Sequence, residues 1–97
     1  MSIQITVRFD IEPDRMERVV ASFQKLCAAT RQEEGALRFD AFRSEEHPHV
    51  VVLIEEWADQ DAIDLHMKED YVAGFLTEVD GAFVRPPQVD RLQPLGV

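Results

Sequence analysis

The sequence is poor in the residues and segments that would tie it to a membrane, to nucleic acid or to an oxidising compartment. It has one cysteine, Cys27, so no disulfide can form within a single chain. It has no basic N-terminal segment and no apolar run near the ~18 residues that span a bilayer. The sequence has 10 basic and 19 acidic residues. The resulting net charge of −9 repels phosphate backbones and anionic membranes. These features predict a cytoplasmic protein that binds neither nucleic acid nor membrane.

Motifs that mark common cofactor sites are absent as well. There is no Gly-x-Gly-x-x-Gly segment, no phosphate-binding loop and no nucleophile elbow, which disfavours nicotinamide, flavin and nucleotide cofactors. Two loop histidines, His47 and His49, have no cysteine or acidic companion at zinc spacing. The sequence therefore predicts no cofactor and no metal.

The 97 residues are 45% hydrophobic, which suits one globular domain spanning 1–97. Segments with alternating or continuous apolar residues predict four strands. These strands are expected at 3–9, 37–43, 50–54 and 89–92. The run at 50–54 is continuously aliphatic, which is typical of a strand covered on both faces.

Apolar residues at three- and four-residue spacing predict the helices. The first is expected to begin at Asp14, which has capping-box spacing to Glu17, and to end at Gly35. Asp59 is predicted to cap a second helix that bends near Asp70 and ends at Pro86-Pro87. The side chains expected to face inward are Met16, Val19, Val20, Phe23, Leu26, Cys27 and Thr30, then Ala62, Ile63, His66, Met67, Tyr71, Val72, Phe75, Leu76, Val79 and Phe83.

The resulting order, β-α-β-β-α-β, predicts an α+β ferredoxin-like fold: a four-stranded antiparallel sheet with helices on one face. Val50, Val52 and Ile54 cannot share a sheet face with Val51 and Leu53. One apolar set is left without helices, and sheet-to-sheet packing in a homodimer would cover it.

Three segments resemble the antibiotic biosynthesis monooxygenase family. Thr30-Arg31-Gln32-Glu33-Glu34-Gly35 resembles its Thr-Arg-x-Glu-x-Gly, and Glu55-Glu56-Trp57 resembles its Glu-x-Trp. His66 and Phe75 fall where the family carries a histidine and a core aromatic residue. The resemblance implies a dimeric α/β-barrel and oxygen chemistry without a flavin or a metal.

The sequence departs from relatives at two places. Where many members carry a second histidine after a proline, this chain has Asp70 and Tyr71. Related haem-degrading enzymes use an asparagine, and this chain contains none. The missing asparagine disfavours haem degradation. The role of the second histidine is either absent in this chain or taken by Tyr71.

His66, Glu55 and Tyr71 are the predicted catalytic residues. Histidine moves protons near neutral pH, Glu55 would orient it or bind a hydroxyl, and Tyr71 would donate to a developing oxyanion. The alternatives are structural: a histidine at the core edge, a strand-end carboxylate bonded to Arg31, and a tyrosine with a solvated hydroxyl.

Four residues are predicted to bind the substrate. Trp57, Phe39 and Phe75 would form apolar walls for an aromatic ring, and Arg31 would bind an acidic group. Ordinary core packing of the aromatic residues and a corner-fixing role for Arg31 remain the alternatives.

The leading functional hypothesis is a cofactor-independent monooxygenase whose partners are a small quinol or polyphenol and O2. The second is an isomerase or processing enzyme for a small phosphorylated metabolite, because Glu33-Glu34-Gly35 followed by Leu37-Arg38-Phe39-Asp40 resembles the branch of the family that processes autoinducer-2 phosphate. The third is a non-catalytic dimeric ligand-binding module. The fold alone does not choose among them.

Overall fold

The computed structural model describes residues 1–96 and has the ferredoxin-like fold that the sequence predicts. The elements are β1 (Ile3–Asp10), α1 (Met16–Thr30), β2 (Ala36–Arg43), β3 (Val50–Trp57), α2 (Gln60–Met67), α3 (Asp70–Glu78) and β4 (Gln88–Leu92). None of the helices in this part of the chain is both long and apolar enough to cross a membrane.

The four strands form one antiparallel sheet in the order β2-β3-β1-β4. On the helix side, alternate residues of β3 are buried, from Val51 and Leu53 to Glu55 and Trp57. Val52 and Ile54 point to the opposite face and are only half-buried. The third strand is therefore covered on one face within a single chain, and its other face lies open.

Helix α1 packs its apolar stripe on the sheet, and every predicted member except the half-buried Val20 is buried. The predicted capping box is wrong. Asp14 lies inside a 3₁₀ turn, Pro13–Arg15, and makes no capping hydrogen bond. Pro13 starts that turn, so the carboxylate sits one turn too early to reach the first free N–H groups of α1.

At the corner between α1 and β2, the backbone of Gly35 lies close to Ala62 of helix α2. Gly35 has no left-handed backbone; among residues 1–96, positive φ angles occur at Gly81 and Gly96. A methyl group on Gly35 would overlap the Cβ of Ala62 in α2. The approach of α2 therefore requires a glycine at position 35. The predicted end of α1 at Gly35 is wrong, because the helix ends at Thr30.

The second helical segment is split and shorter than predicted. The predicted Asp59 cap is confirmed, since its Oδ1 accepts from the Ala62 amide at 2.9 Å. The predicted bend near Asp70 is a true break between α2 and α3. Helix α3 ends at Glu78, well before Pro86, because a turn with Gly81 at φ 76° redirects the chain.

Two of the residues predicted to face inward on this segment do not. Met67 is 60% exposed and Leu76 is 53% exposed. The break at residues 68–69 changes the direction in which the side chains of the second helix point. A single apolar stripe drawn through both helices therefore predicts more buried residues than the structure has.

Candidate active site

The candidate site begins at the C-terminal end of β3. Strand alternation places Glu55 and Trp57 on the same, helix-covered face. The Trp57 indole Nε1–H donates to Oε1 of Glu55 at 2.8 Å, and the indole is 1% exposed. The bond satisfies the polar edge of a buried indole and holds one carboxylate oxygen in place.

His66 lies in helix α2 and packs against Trp57, beside Glu55. The imidazole is buried, and its ring centroid lies 4.7 Å from that of Trp57 and 5.6 Å from that of Phe39. Three of the predicted site residues, Phe39, Trp57 and His66, therefore form one aromatic cluster beside Glu55. The Asp59 cap contributes by fixing where α2 starts, and hence which residue meets Trp57.

Glu33, which sequence reasoning assigned no role, connects the cluster to α3. Its Oε2 lies 2.8 Å from Nδ1 of His66, and the Tyr71 hydroxyl donates to the same oxygen. The Glu33 side chain is 16% exposed although it comes from a loop. Its position in the Thr-Arg-x-Glu-x-Gly segment was the available signal. We call Glu33, His66 and Tyr71 the acid–histidine chain.

The acid–histidine chain sets the state of the imidazole. An ionised carboxylate only accepts hydrogen bonds, so Nδ1 of His66 carries the proton and donates to Glu33. Nε2 of His66 makes no hydrogen bond to any of residues 1–96, yet every fully buried side-chain nitrogen or oxygen in that range has a partner. Nε2 therefore lies at the small accessible part of His66, in the orientation that the contact of Nδ1 with Glu33 holds.

Tyr71 and Phe75 line a cavity of about 240 Å³ between α1 and α3. The cavity also has polar walls, because Ser22 and Lys25 both donate to Glu78 on its rim. Phe75 packs on Phe23, with ring centroids 5.0 Å apart, so it belongs to the core beside Tyr71 and not to the Trp57 cluster.

Arg31 lies apart from the acid–histidine chain. Its guanidinium pairs with Asp40 at 2.8 Å and is half-exposed. The alternative interpretation of Glu55 as a partner of Arg31 is wrong, because Trp57 takes that place. Arg31 directly follows the last residue of α1 and pairs with a residue of the edge strand β2, whereas Glu55 faces inward from the central strand β3.

A family comparison identifies the kind of domain to which this geometry belongs. The family described as antibiotic biosynthesis monooxygenase matches residues 2–78, which include every member of the cluster and of the acid–histidine chain. The chain belongs to this family. The match begins at β1 and ends at α3, so it covers the elements that position the candidate site.

Individual family members agree with this assignment at low identity. "Putative monooxygenase YcnE" of Bacillus subtilis is 25% identical over 83 residues, which are 86% of this chain and 87% of the relative. The structure of Rv0793 from Mycobacterium tuberculosis has a TM-score of 0.90 at 25% identity and covers 98% of this chain and 96% of that chain. A crystal structure of an antibiotic biosynthesis monooxygenase, 24% identical, also has a TM-score of 0.90 and covers 96% and 98%.

In this family member Glu55 has an unusual electrostatic environment. Burial raises the pKa of its carboxyl above the ordinary 4.5, and the Trp57 hydrogen bond and the positive form of His66 only partly oppose that rise. One carboxylate oxygen is held by Trp57, and the other makes no hydrogen bond to residues 1–96. Glu55 can therefore accept or release a proton at a higher pH than an exposed glutamate.

The raised pKa predicts how Glu55→Gln changes stability with pH. As the pH rises through 4.5, unfolded Glu55 releases its proton while folded Glu55 retains it, so the wild type loses stability over this window. Glutamine cannot titrate and still accepts from Trp57. In urea unfolding, the variant should gain stability relative to wild type as the pH rises through and above 4.5.

Glu78→Gln is the matched control for this prediction. Hydrogen bonds from Ser22 and Lys25 lower the pKa of Glu78, so this carboxylate adds stability above its unfolded pKa. Its replacement should therefore be less stable than wild type above pH 4.5, and the difference should shrink as the pH falls below 4.5. Parallel curves for Glu55→Gln and wild type would contradict the burial of an ionisable Glu55.

Proposed function

We propose that this protein is a cofactor-independent monooxygenase that oxidises a small quinol or polyphenol with O2. The observation that carries the proposal is the acid–histidine chain, in which Glu33 holds Nδ1 of His66 and leaves Nε2 accessible beside the Trp57 and Phe39 rings. Membership of the antibiotic biosynthesis monooxygenase family supports the same chemistry.

The proposed reaction starts with proton transfer. Nε2 of His66 removes a proton from the hydroxyl of the bound quinol, and the Glu33 carboxylate stabilises the imidazolium that forms. The electron-rich anion then reduces O2 itself. One oxygen atom enters the ring and the other leaves as water, so a benzene-diol plus O2 gives a hydroxyquinone plus H2O.

The neighbouring residues fit the needs of such a reaction. The buried rings of Trp57 and Phe39 surround the imidazole with apolar groups, which keeps water away from an anion formed beside it. The accessible oxygen of Glu55 is placed to bind a second hydroxyl. Tyr71 fixes the Glu33 carboxylate through its hydroxyl, which makes it a positioning residue in place of the family's second histidine.

The experiment is oxygen consumption by chelator-treated, purified protein with a panel of quinols and polyphenols, run beside the same substrates without protein. A rate above the spontaneous background supports the proposal. Conversion of a sugar phosphate that continues without oxygen would select the isomerase hypothesis instead. Saturable binding of a quinol with no turnover in either arm would select the non-catalytic binding module.

We also propose a homodimer formed through the open face of the sheet, in a cytoplasmic setting that suits a single buried cysteine. Phe42 is 47% exposed and pairs in register with the half-buried Val52, and Ile54 extends the same apolar patch. Sedimentation equilibrium should give twice the 11.1 kDa chain mass. Ile54→Lys places a charge on the proposed interface and should be monomeric. A wild-type protein that is monomeric at micromolar concentration would contradict the dimer.

A further inference from the structure

A groove of about 350 Å³ runs between α1 and the edge strand β2, away from the acid–histidine chain. Its floor is apolar, and its rim is formed by longer polar and cationic side chains. The lining residues are Val20, Phe23, Gln24, Cys27, Arg31, Ala41, Phe42, Arg43 and Val51. None of them belongs to the Trp57 cluster or to the acid–histidine chain, so the groove is a separate feature of the fold.

The floor stays uncharged across the physiological pH range. Burial raises the pKa of the Cys27 thiol, which is 4% exposed, so the sulfur remains protonated and behaves as an apolar group. Phe23 and Val51 on either side are also buried and carry no polar atoms in their side chains. The floor therefore suits a hydrocarbon or aromatic surface and offers no strong partner for a polar one.

The rim carries a local excess of positive charge. Arg31 and Arg38 both pair with the carboxylate of Asp40, at 2.8 and 2.9 Å. One carboxylate neutralises one of the two guanidinium groups, so this cluster has a net charge of +1. Arg43 is exposed and forms no ion pair with any of residues 1–96. The charged residues that line the groove, Arg31 and Arg43, are both cationic, although the chain has a net charge of −9.

We propose that this groove binds a small organic monoanion, an aromatic or aliphatic carboxylate whose apolar body lies between the half-buried Val20 and Ala41, above the buried floor, and whose carboxylate contacts Arg43. The volume is within the roughly 300–1,000 Å³ range of small-molecule sites. A neutral apolar ligand would leave the cationic rim unused, and a bare phosphate would leave the apolar floor in water. The site stands independently of the proposed oxygenase reaction.

The probe is 2-naphthoate, titrated calorimetrically into the intact wild-type protein, with the uncharged 2-naphthylmethanol as the matched ligand. We expect saturable one-site binding of naphthoate and at least about fivefold weaker binding of the alcohol, because the alcohol lacks the charge-assisted contact. Amide chemical-shift changes should be confined to the groove, near residues 20–31 and 41–43.

Arg43→Gln should weaken naphthoate binding about fivefold, whereas Lys68→Gln removes the same charge from exposed chain elsewhere and should leave it unchanged. Gln24→Arg adds a cation to the rim and should tighten binding. The proposal is overturned if naphthoate fails to bind, if Arg43→Gln and Lys68→Gln behave alike, or if the shifts map to the Trp57 cluster.

Discussion

Replacing His66 by alanine should lower kcat/KM for the quinol by about 100-fold to 10,000-fold, which is the usual contribution of a general base. The imidazole is the group whose Nε2 is both accessible and oriented, because Glu33 holds Nδ1 at 2.8 Å. Steady-state oxygen uptake measures the effect. Because His66 is buried, circular dichroism and the melting temperature must be measured on the variant, and the loss of activity is read at a temperature where both proteins are folded.

His49→Ala is the matched control, since it removes an exposed histidine from the loop between β2 and β3. It should retain wild-type kcat/KM. Equal activity of His66→Ala and His49→Ala would remove His66 from the mechanism.

Glu33→Gln tests the positioning role separately from the base. The glutamine amide can donate to Nδ1 of His66, which would move the imidazole proton to Nε2 and block that atom as a base. The expected result is a loss in kcat of at least about 100-fold with KM little changed. A variant that changes KM alone would show that Glu33 acts in binding or folding and not in orienting the base.

Gly35→Ala should destabilise the fold by about 3 kcal/mol, at the upper end of what one added methyl group costs in a packed site. The new Cβ would overlap the Cβ of Ala62 and lie 3.4 Å from its Cα, which is backbone of α2 and cannot move alone. Because Gly35 has no positive φ, backbone strain plays no part. Thermal unfolding should show a fall of more than about 10 °C.

Two variants isolate the steric cause. Ala62→Gly combined with Gly35→Ala should recover much of the lost stability, because the overlapping methyl group is gone. Gly74→Ala, in helix α3 with nothing within 4 Å of the new Cβ, should instead add about 0.5–1 kcal/mol. If Gly35→Ala and Gly74→Ala change stability in the same direction, the close approach of α2 does not limit residue 35.

The parts of the structure that could be predicted from sequence are those that depend on local spacing. Alternation in β1 predicts a strand, and Asp59 caps α2 through an amide three residues away. Phe39, Trp57 and His66 meet as expected because strand parity and helix phase determine where their side chains point.

The predictions that failed depend on contacts between residues distant in sequence. Glu33 was assigned no role because it reaches His66 and Tyr71 across 33 and 38 residues, and its place in the Thr-Arg-x-Glu-x-Gly segment does not show which side chains it contacts. Gly35 is required by Ala62, which the sequence separates from it by a whole hairpin. The early end of α3 at Glu78 similarly follows from the turn at Gly81, not from the prolines that dominate the local signal.

The most direct test of the oxygenase account is a reaction of chelator-treated protein with a quinol under ¹⁸O2, followed by mass spectrometry of the product. The account predicts one mole of O2 consumed per mole of substrate, one ¹⁸O atom in the hydroxyquinone, and loss of both signals in His66→Ala. Product that takes its new oxygen from water, or forms at the same rate without O2, would contradict it.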